Sequence, residues 1–63
     1  MKKYYFDELG LDQDFFMGEE EEWEDELLGV LKTQLEYDGI EDYDGIEIIE
    51  VDLDEEFVSF NLY

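Results

Sequence analysis

Acidic residues outnumber basic residues in this chain by 22 to 3, which gives a net charge of -19 over 63 residues. Like charges crowd together when a chain compacts, so an imbalance of this size opposes folding and is typical of disordered segments. Disordered acidic segments are poor in aromatic residues, whereas this chain is 44% hydrophobic and 17% aromatic. The apolar content therefore predicts a folded domain in spite of the charge.

The length and the missing residue types restrict what this domain can be. A chain of 63 residues forms one domain, and a domain of this size buries only about 60% of its unfolded surface. Without cysteine or histidine, neither a disulfide nor a zinc site of the usual kind can reinforce the core. The chain has no apolar run long enough to span a membrane, and the apolar stretch in Met1–Phe6 is too short for a signal peptide. We therefore expect a soluble protein of the cytoplasm.

The clearest periodicity predicts a long amphipathic helix over residues 19–37. Apolar residues recur there at spacings of three and four, which places them on one face: Trp23, Leu27, Val30, Leu31 and Leu35. Glutamates at the start suit the positive end of the helix dipole, and Gly39 is expected to end the helix. Gly29 lowers the helix propensity by about 1 kcal/mol relative to alanine, so we expect it to permit the close approach of another element.

Residues 46–63 predict an antiparallel β-hairpin. Apolar and acidic residues alternate over 49–54, apolar and polar residues alternate over 58–62, and residues 54–56 are expected to form the turn. The inward residues of the first strand would be Ile49, Val51 and Leu53. Because Ile46 and Ile48 have the opposite parity, we expect a β-bulge near Ile48–Ile49. Two strands alone are marginally stable, so the hairpin must pack on the helix or gain a third strand.

The remaining segments give weaker patterns. Residues 1–18 fit no single period and predict a short helix or irregular structure, with a helix or strand near Lys3–Leu9 and a helical turn near Asp12–Met17. Tyr-Asp-Gly-Ile-Glu occurs at 37–41 and again at 43–47, which predicts a connector with two turns over 38–45. The sequence thus predicts a single α+β domain in which one long helix packs on a C-terminal hairpin.

The distribution of acids and aromatics predicts the core. The stretches Leu27–Leu35 and Phe57–Tyr63 contain no acidic residue, so we expect them to supply the core. Trp23, Phe57 and Phe60 are assigned to it as well. Two places are equally supported for the Phe15–Phe16 pair, Tyr37 and Tyr43. Each of them fits the core, and each fits an exposed position as an anchor for a partner.

The chain contains few of the residue types that catalyse reactions in enzymes. There is one serine, one threonine and no arginine, and without histidine or cysteine no nucleophilic triad can form. With 22 acids, pairs of carboxylates arise by chance. A calcium loop framed on Gly45 would place Ile40 and Val51 at ligand positions, so the pattern fails. We expect a protein that is not an enzyme and that holds neither a cofactor nor a dedicated metal site.

The acidic residues can instead imitate a row of phosphates. Glu50, Asp52 and Asp54 on one side of a strand would lie about 6.6 Å apart, near twice the spacing of about 3.4 Å between the phosphates of one B-DNA strand. Such a row can occupy a groove whose lysines and arginines otherwise bind phosphates. A solvated acidic face is the simpler interpretation, and the net charge favours mimicry over it. The predicted partner-binding residues are Glu20, Glu24, Asp25, Glu36, Asp38, Asp42, Asp44, Glu47, Glu50, Asp52, Asp54, Tyr37 and Tyr43.

In size, charge and aromatic content the chain resembles the small DNA-mimic inhibitors that phages and mobile elements encode. These include anti-restriction proteins, anti-CRISPR proteins and inhibitors of uracil-DNA glycosylase. The resemblance covers the composition of the whole chain and implies an inhibitor of a DNA-binding or RNA-guided protein such as a nuclease, a restriction enzyme or a glycosylase. We expect no direct binding to nucleic acid or membrane. Edge strands and spare aromatics favour a dimer, so the protein is expected to be a monomer or a homodimer. If a phage encodes it, its compartment would be the host cytoplasm.

Two other functions fit the same composition. An acidic adaptor or chaperone-like module would bind a basic protein without competing with nucleic acid. An ordinary domain from a salt-loving host would be acidic for solvation alone and would have no specific partner. The three hypotheses differ in what they predict about nucleic-acid competition and about the salt needed for folding.

Overall fold

A three-stranded antiparallel sheet and one long helix form the two layers of the protein in the computed structural model, which describes residues 1–63 throughout. Strand β3 lies at the centre of the sheet, in the order β1-β3-β2. The elements follow one another as β1 (Lys2–Tyr5), α1 (Phe6–Leu9), a 3-10 helix (Gln13–Phe16), α2 (Glu20–Tyr37), β2 (Ile46–Asp52) and β3 (Phe57–Leu62). The predicted α+β fold, with a long helix and a C-terminal antiparallel hairpin, is confirmed.

Helix α2 packs on the sheet through one row of leucines. Its bounds agree with the predicted 19–37 to within one residue. Leu27, Leu31 and Leu35, hereafter the leucine row, are fully buried. No helix of the protein combines the length and the hydropathy needed to cross a bilayer.

The end of α2 is fixed by the predicted glycine. Gly39 has a φ of 81°, which is the left-handed conformation that glycine adopts without a steric penalty. Its N–H donates to the carbonyl of Glu36 at 3.0 Å, and the Ile40 N–H donates to the carbonyl of Leu35 at 2.8 Å. This pair of hydrogen bonds is a Schellman motif, which satisfies carbonyls that the helix leaves without partners.

Gly29 contradicts its prediction. A side chain there would meet no atom within 4 Å, so no other element approaches the helix at this point. With about 3.6 residues per turn, position 29 falls on the side of α2 opposite the leucine row. Gly29 is therefore open to solvent.

The hairpin contains the predicted bulge. Ile48 pairs with Phe60 and Glu50 pairs with Ser59, so Ile49 is the extra residue. The bulge changes the parity of the strand, and Ile49 is consequently exposed rather than inward. Leu53 was also wrongly assigned to the inner face, because β2 ends at Asp52 and Leu53 lies exposed in the turn. Of the predicted inward residues only Val51 packs against the core, together with Ile46 and Ile48.

The N-terminal segment supplies a strand, which the sequence had left open as an alternative to a helix near Lys3–Leu9. Residues Lys2–Tyr5 pair antiparallel with Phe57–Phe60, so β1 becomes the third strand that the hairpin needs. The helical turn expected near Asp12–Met17 is present as the 3-10 helix. The segment is thus more regular than predicted, because β3 offers a free edge to which β1 can bind.

The core lies between the leucine row and the inner face of the sheet. Its other buried side chains are Phe6, Phe16, Val58 and Phe60. The two acid-free stretches therefore supply most of the core, as predicted. Phe57 was wrongly assigned to it, since its parity is that of Ser59 and it lies half-buried on the outer face of the sheet.

Trp23 and the phenylalanine pair close the core near the start of α2. Phe16 is buried and stacks on Phe6 at 4.9 Å between ring centroids, while the Trp23 ring meets Phe16 edge-on at 5.0 Å. Trp23 and Phe15 are half-buried and pack against the core. The indole N–H of Trp23 is buried without an acceptor.

Candidate partner-binding surface

The carboxylates lie on the surface of the domain. All are exposed except Glu24 and Asp52, which are half-buried. Three lysines can neutralise at most three of the 22 acids, so most of the negative charge has no internal counterion. Since exposed charges of one sign add to a potential of several kT around a small protein, the surface attracts cations over a long range.

The few cations are segregated from most of the acids. Lys2 and Lys3 lie on β1, at one edge of the sheet. The Lys3 ammonium lies 4.6 Å from the ring centroid of Phe57 and 5.2 Å from that of Tyr5, within the range of cation–π attraction. Lys32 is the only cation elsewhere, on α2.

Acids occupy the opposite edge of the sheet. Glu47 and Glu50 are exposed on β2, and the register pairs them with Asn61 and Ser59 of the central strand. Asp52 pairs with Phe57 at the end of β2. The outer face of the sheet therefore changes from positive at β1 to negative at β2, and its β1 side is unsuited to a cationic partner.

The predicted row of three carboxylates on the hairpin does not form as a regular strand ladder. The Asp52 Oδ1 accepts hydrogen bonds from the backbone N–H groups of Asp54 and Glu55, each at 2.9 Å. This carboxylate therefore caps the turn, and Asp54 lies in the turn rather than in β2. The strand spacing of about 6.6 Å applies only within β2.

The solvent face of α2 carries a second group of the predicted acids. Asp25 and Glu36 are exposed on the side opposite the leucine row, on either side of Gly29. Glu20 is exposed in the first turn, whereas Glu24 is half-buried beside the core. Asp25 and Glu36 thus mark the outward surface of the helix.

A groove of about 520 Å³ runs between α2 and the connector. The helix contributes Leu28, Gly29, Lys32 and Glu36 to its lining. The connector and the start of β2 contribute Glu41, Tyr43, Asp44, Gly45 and Ile46. Three acids, one lysine and an aromatic ring thus share one concave surface.

The wall of the groove at the connector is fixed by Tyr63. The Gly45 N–H donates to the carbonyl of Tyr63 at 2.9 Å, and the Tyr63 N–H donates back to the carbonyl of Gly45 at 3.1 Å. A Cβ on Gly45 would lie 2.5 Å from the Tyr63 ring, so only glycine fits without displacement. The second copy of the Tyr-Asp-Gly motif is therefore held in place by backbone pairing and ring packing.

Asp38 has an internal partner. The Tyr4 hydroxyl donates to its Oδ2 at 2.5 Å. Burial, the hydrogen bond to Asp38 and the negative charge of that carboxylate together raise the pKa of Tyr4 to about 12, and burial is the largest of these causes. Asp38 thus joins β1 to the end of α2, whereas Asp42 and Asp44 are exposed on the connector.

The two tyrosines that the sequence left between core and surface have different environments. Tyr37 is 86% exposed at the end of α2. Tyr43 is half-buried, packs against the core and lines the groove. Only Tyr37 is thus free on the surface, and Tyr43 presents part of its ring to the groove.

Several groove residues were absent from the predicted site. Lys32, Glu41 and Gly29 line the groove, yet none was singled out for partner binding. The signal available in the sequence was the position of Glu41 beside the second Tyr-Asp-Gly copy. No group of three acidic side chains is arranged so that it could hold a metal ion.

In comparisons with known proteins, no family model, no characterised protein and no solved structure matches this chain significantly.

Proposed function

We propose that this protein is a nucleic-acid mimic that inhibits a DNA-binding or RNA-guided protein by occupying its positively charged channel. The observation that supports this function is the surface position of the acids on a folded domain. None of the 22 carboxylates is buried, and only three lysines oppose them. Ordinary solubility needs a net charge of magnitude about 2–8 in a small domain, so the surplus indicates a cationic partner.

The solvent face of α2 and the groove beside it form the contact surface in this proposal. Asp25 and Glu36 lie on that face, and Glu41 and Asp44 line the other side of the groove. The β1 edge, which carries Lys2 and Lys3, lies outside the proposed contact surface. A cationic channel can then meet acids from the helix and from the connector together.

The mechanism of inhibition is electrostatic and steric. Long-range attraction speeds the encounter with a cationic channel, and added salt slows it. Carboxylates then take the places that phosphates occupy in the substrate complex, where lysine and arginine contacts dominate affinity. Because the inhibitor carries no base to read and no phosphodiester to cut, the channel is filled without reaction.

A competition experiment tests the proposal. The tagged protein captures its partner from a bacterial lysate, and the purified pair is then challenged with duplex DNA, single-stranded DNA and guide RNA at fixed ionic strength. We expect one of these nucleic acids and this protein to exclude each other from the partner. A stable ternary complex, or a partner that binds no nucleic acid, would refute mimicry and favour the adaptor.

A matched pair of variants locates the contact surface. Asp25→Asn, Glu36→Gln and Asp44→Asn together remove three charges from the proposed surface. Asp7→Asn, Asp14→Asn and Glu55→Gln remove three charges from exposed sites on the N-terminal segment and the hairpin turn. The first triple variant should weaken binding at least about tenfold more than the second, since the loss of even one charge-assisted contact, at about 1.5–3 kcal/mol, lowers the affinity by about tenfold or more. Equal losses would show that only the net charge matters.

A further inference from the structure

We infer that the groove between α2 and the connector receives an arginine side chain of the cationic partner. This inference rests on the proposed function and adds to it the partner group that docks and the place where it docks. The lining of the groove, the charges of its acidic residues and the open space above Gly29 support it.

The lining of the groove suits both parts of an arginine side chain. Leu28 and Ile46 offer apolar surface to the methylene stem. The half-buried ring of Tyr43 offers a face on which a planar guanidinium can stack. The volume of about 520 Å³ lies within the range of about 300–1,000 Å³ that is typical of ligand sites.

The groove carries more negative than positive charge and therefore favours a cation. Glu36 approaches from the helix, and Glu41 and Asp44 approach from the connector. A guanidinium presents five N–H donors in a fixed plane and can bind carboxylates on two sides, whereas a lysine ammonium is a compact and strongly hydrated charge. The arrangement of carboxylates around an aromatic ring therefore favours arginine over lysine.

Lys32 is the one cation in the groove, and it belongs to the protein itself. Its charge offsets part of the attraction that the three carboxylates exert on an incoming cation. Its positive charge also repels an incoming cation directly, because both would share one groove. Lys32 thus weakens the binding of any other cation at this site more than a distant lysine does.

Gly29 makes the groove testable without a change of charge. A side chain there meets no atom of its own protein within 4 Å, yet the residue lines the groove. Gly29→Gln therefore adds a neutral side chain at the edge of the groove, next to the space that the arginine would use. Glutamine also has a better helix propensity than glycine, so the variant should fold at least as well as the wild type.

The probe is the blocked tripeptide acetyl-Gly-Arg-Gly-amide, titrated into ¹⁵N-labelled protein at constant ionic strength. We expect saturable shifts centred on the amides of Gly29, Tyr43 and Gly45, and weaker binding of the lysine analogue. Gly29→Gln should weaken the arginine probe by about tenfold, as expected for the loss of one charge-assisted contact, while Gly29→Ala stays within about twofold. Shifts that spread over all acidic residues and that potassium chloride reproduces would overturn the inference, as would unchanged affinity in Gly29→Gln.

Two lysine variants provide a matched charge control. Lys32→Gln and Lys2→Gln each remove one positive charge, but only the first lies in the groove. Lys32→Gln should strengthen the arginine probe several-fold and Lys2→Gln should change it less, because Lys2 lies on β1 outside the groove and salt screens the charges of exposed residues. Equal gains in both variants would contradict a local site.

The experiments can refute the docking of arginine in the groove and the mimicry of nucleic acid independently of each other. If Gly29→Gln excludes nucleic acid from the partner as strongly as the wild type does, the groove is not the docking site and mimicry stands. If the wild type itself does not exclude nucleic acid, mimicry is refuted whatever the tripeptide shows. Loss of exclusion in Gly29→Gln, with Gly29→Ala unaffected, supports both.

Discussion

Tyr4 donates a hydrogen bond to Asp38 across 34 positions of the sequence, and this contact joins the first strand to the end of the long helix. The hydroxyl lies 2.5 Å from the carboxylate Oδ2, and its pKa is raised to about 12 by burial and by that carboxylate. The contact therefore stabilises the neutral form of Tyr4 in the folded protein only.

An alkaline titration followed by phenolate absorbance should show a late ionisation step from one of the five tyrosines. We expect one of them to ionise near pH 12, and Tyr4→Phe to remove that step. Asp38→Asn should lower the pKa of Tyr4 part of the way, because burial remains while the negative charge is lost. A late step that persists in Tyr4→Phe would assign it to another tyrosine.

The same contact should make stability depend on pH in the alkaline range. The folded pKa of Tyr4 is above the unfolded value of 10.0, so its contribution is complete below pH 10 and is lost as pH rises towards 12. Urea denaturation at several pH values should show the wild type losing stability faster than Tyr4→Phe in this window. Parallel losses in the two proteins would contradict the role of Tyr4.

Two glycines of the same helix region should respond in opposite ways to alanine. Gly29→Ala should stabilise the fold by about 0.5–1 kcal/mol, because the site is open and alanine is the better helix former. Gly39→Ala should destabilise it by about 1–2 kcal/mol, because its φ of 81° is unfavourable for a side chain with a Cβ. Urea denaturation gives both values, and a loss of stability in Gly29→Ala would mean that the site is not open.

The hairpin turn contains the only residue other than glycine with a positive φ, Glu56 at 60°. Glu56→Gly should therefore stabilise the fold by about 0.5–1 kcal/mol, which is the left-handed penalty less the extra backbone entropy of glycine. Glu55→Gly makes the same change of charge at a neighbouring turn position without relieving that conformation, so it should give no gain. Thermal unfolding of the two variants separates the backbone effect from the effect of charge.

Moderate salt should stabilise the whole protein. The repulsion within a net charge of -19 is screened as the Debye length falls from about 30 Å at 0.01 M to about 10 Å at 0.1 M. We expect Tm to rise by about 5 °C or more over that range, since about 1 kcal/mol shifts the Tm of a domain of this size by about 4–8 °C. A protein that stays unfolded until molar salt is added would instead support the salt-loving host.

The parts of the fold that could be predicted are those with a strong local pattern. The spacing of the leucine row fixed α2, Gly39 marked its end, and the parity change at Ile48–Ile49 located the bulge. For strand β1 the sequence left a helix and a strand open, because four residues carry too short a pattern and their partner β3 follows more than fifty positions later. Phe57 was misassigned because its aromatic character outweighed its parity with Ser59.

The groove depended on tertiary structure. Lys32 and Glu36 come from the helix while Glu41 and Asp44 come from the connector, and no spacing within either segment indicates that they face one cavity. The prediction of a row of three carboxylates on the hairpin was wrong for a related reason, since the Asp52 carboxylate accepts hydrogen bonds from the turn that follows it. Local periodicity predicts faces, whereas concave sites arise where two segments meet.

The placement of Lys2 and Lys3 on one edge of the sheet has a consequence for motion before contact. Two of the three lysines lie at this edge of a body whose net charge is -19, and they contribute to an electric dipole moment in addition to that net charge. In the field of the cationic channel proposed above, the protein would experience a torque and rotate so that the β1 edge trails behind. The two lysines would then contribute to orientation without touching the proposed partner, and replacing them with glutamine would let the protein arrive in more orientations, fewer of them productive.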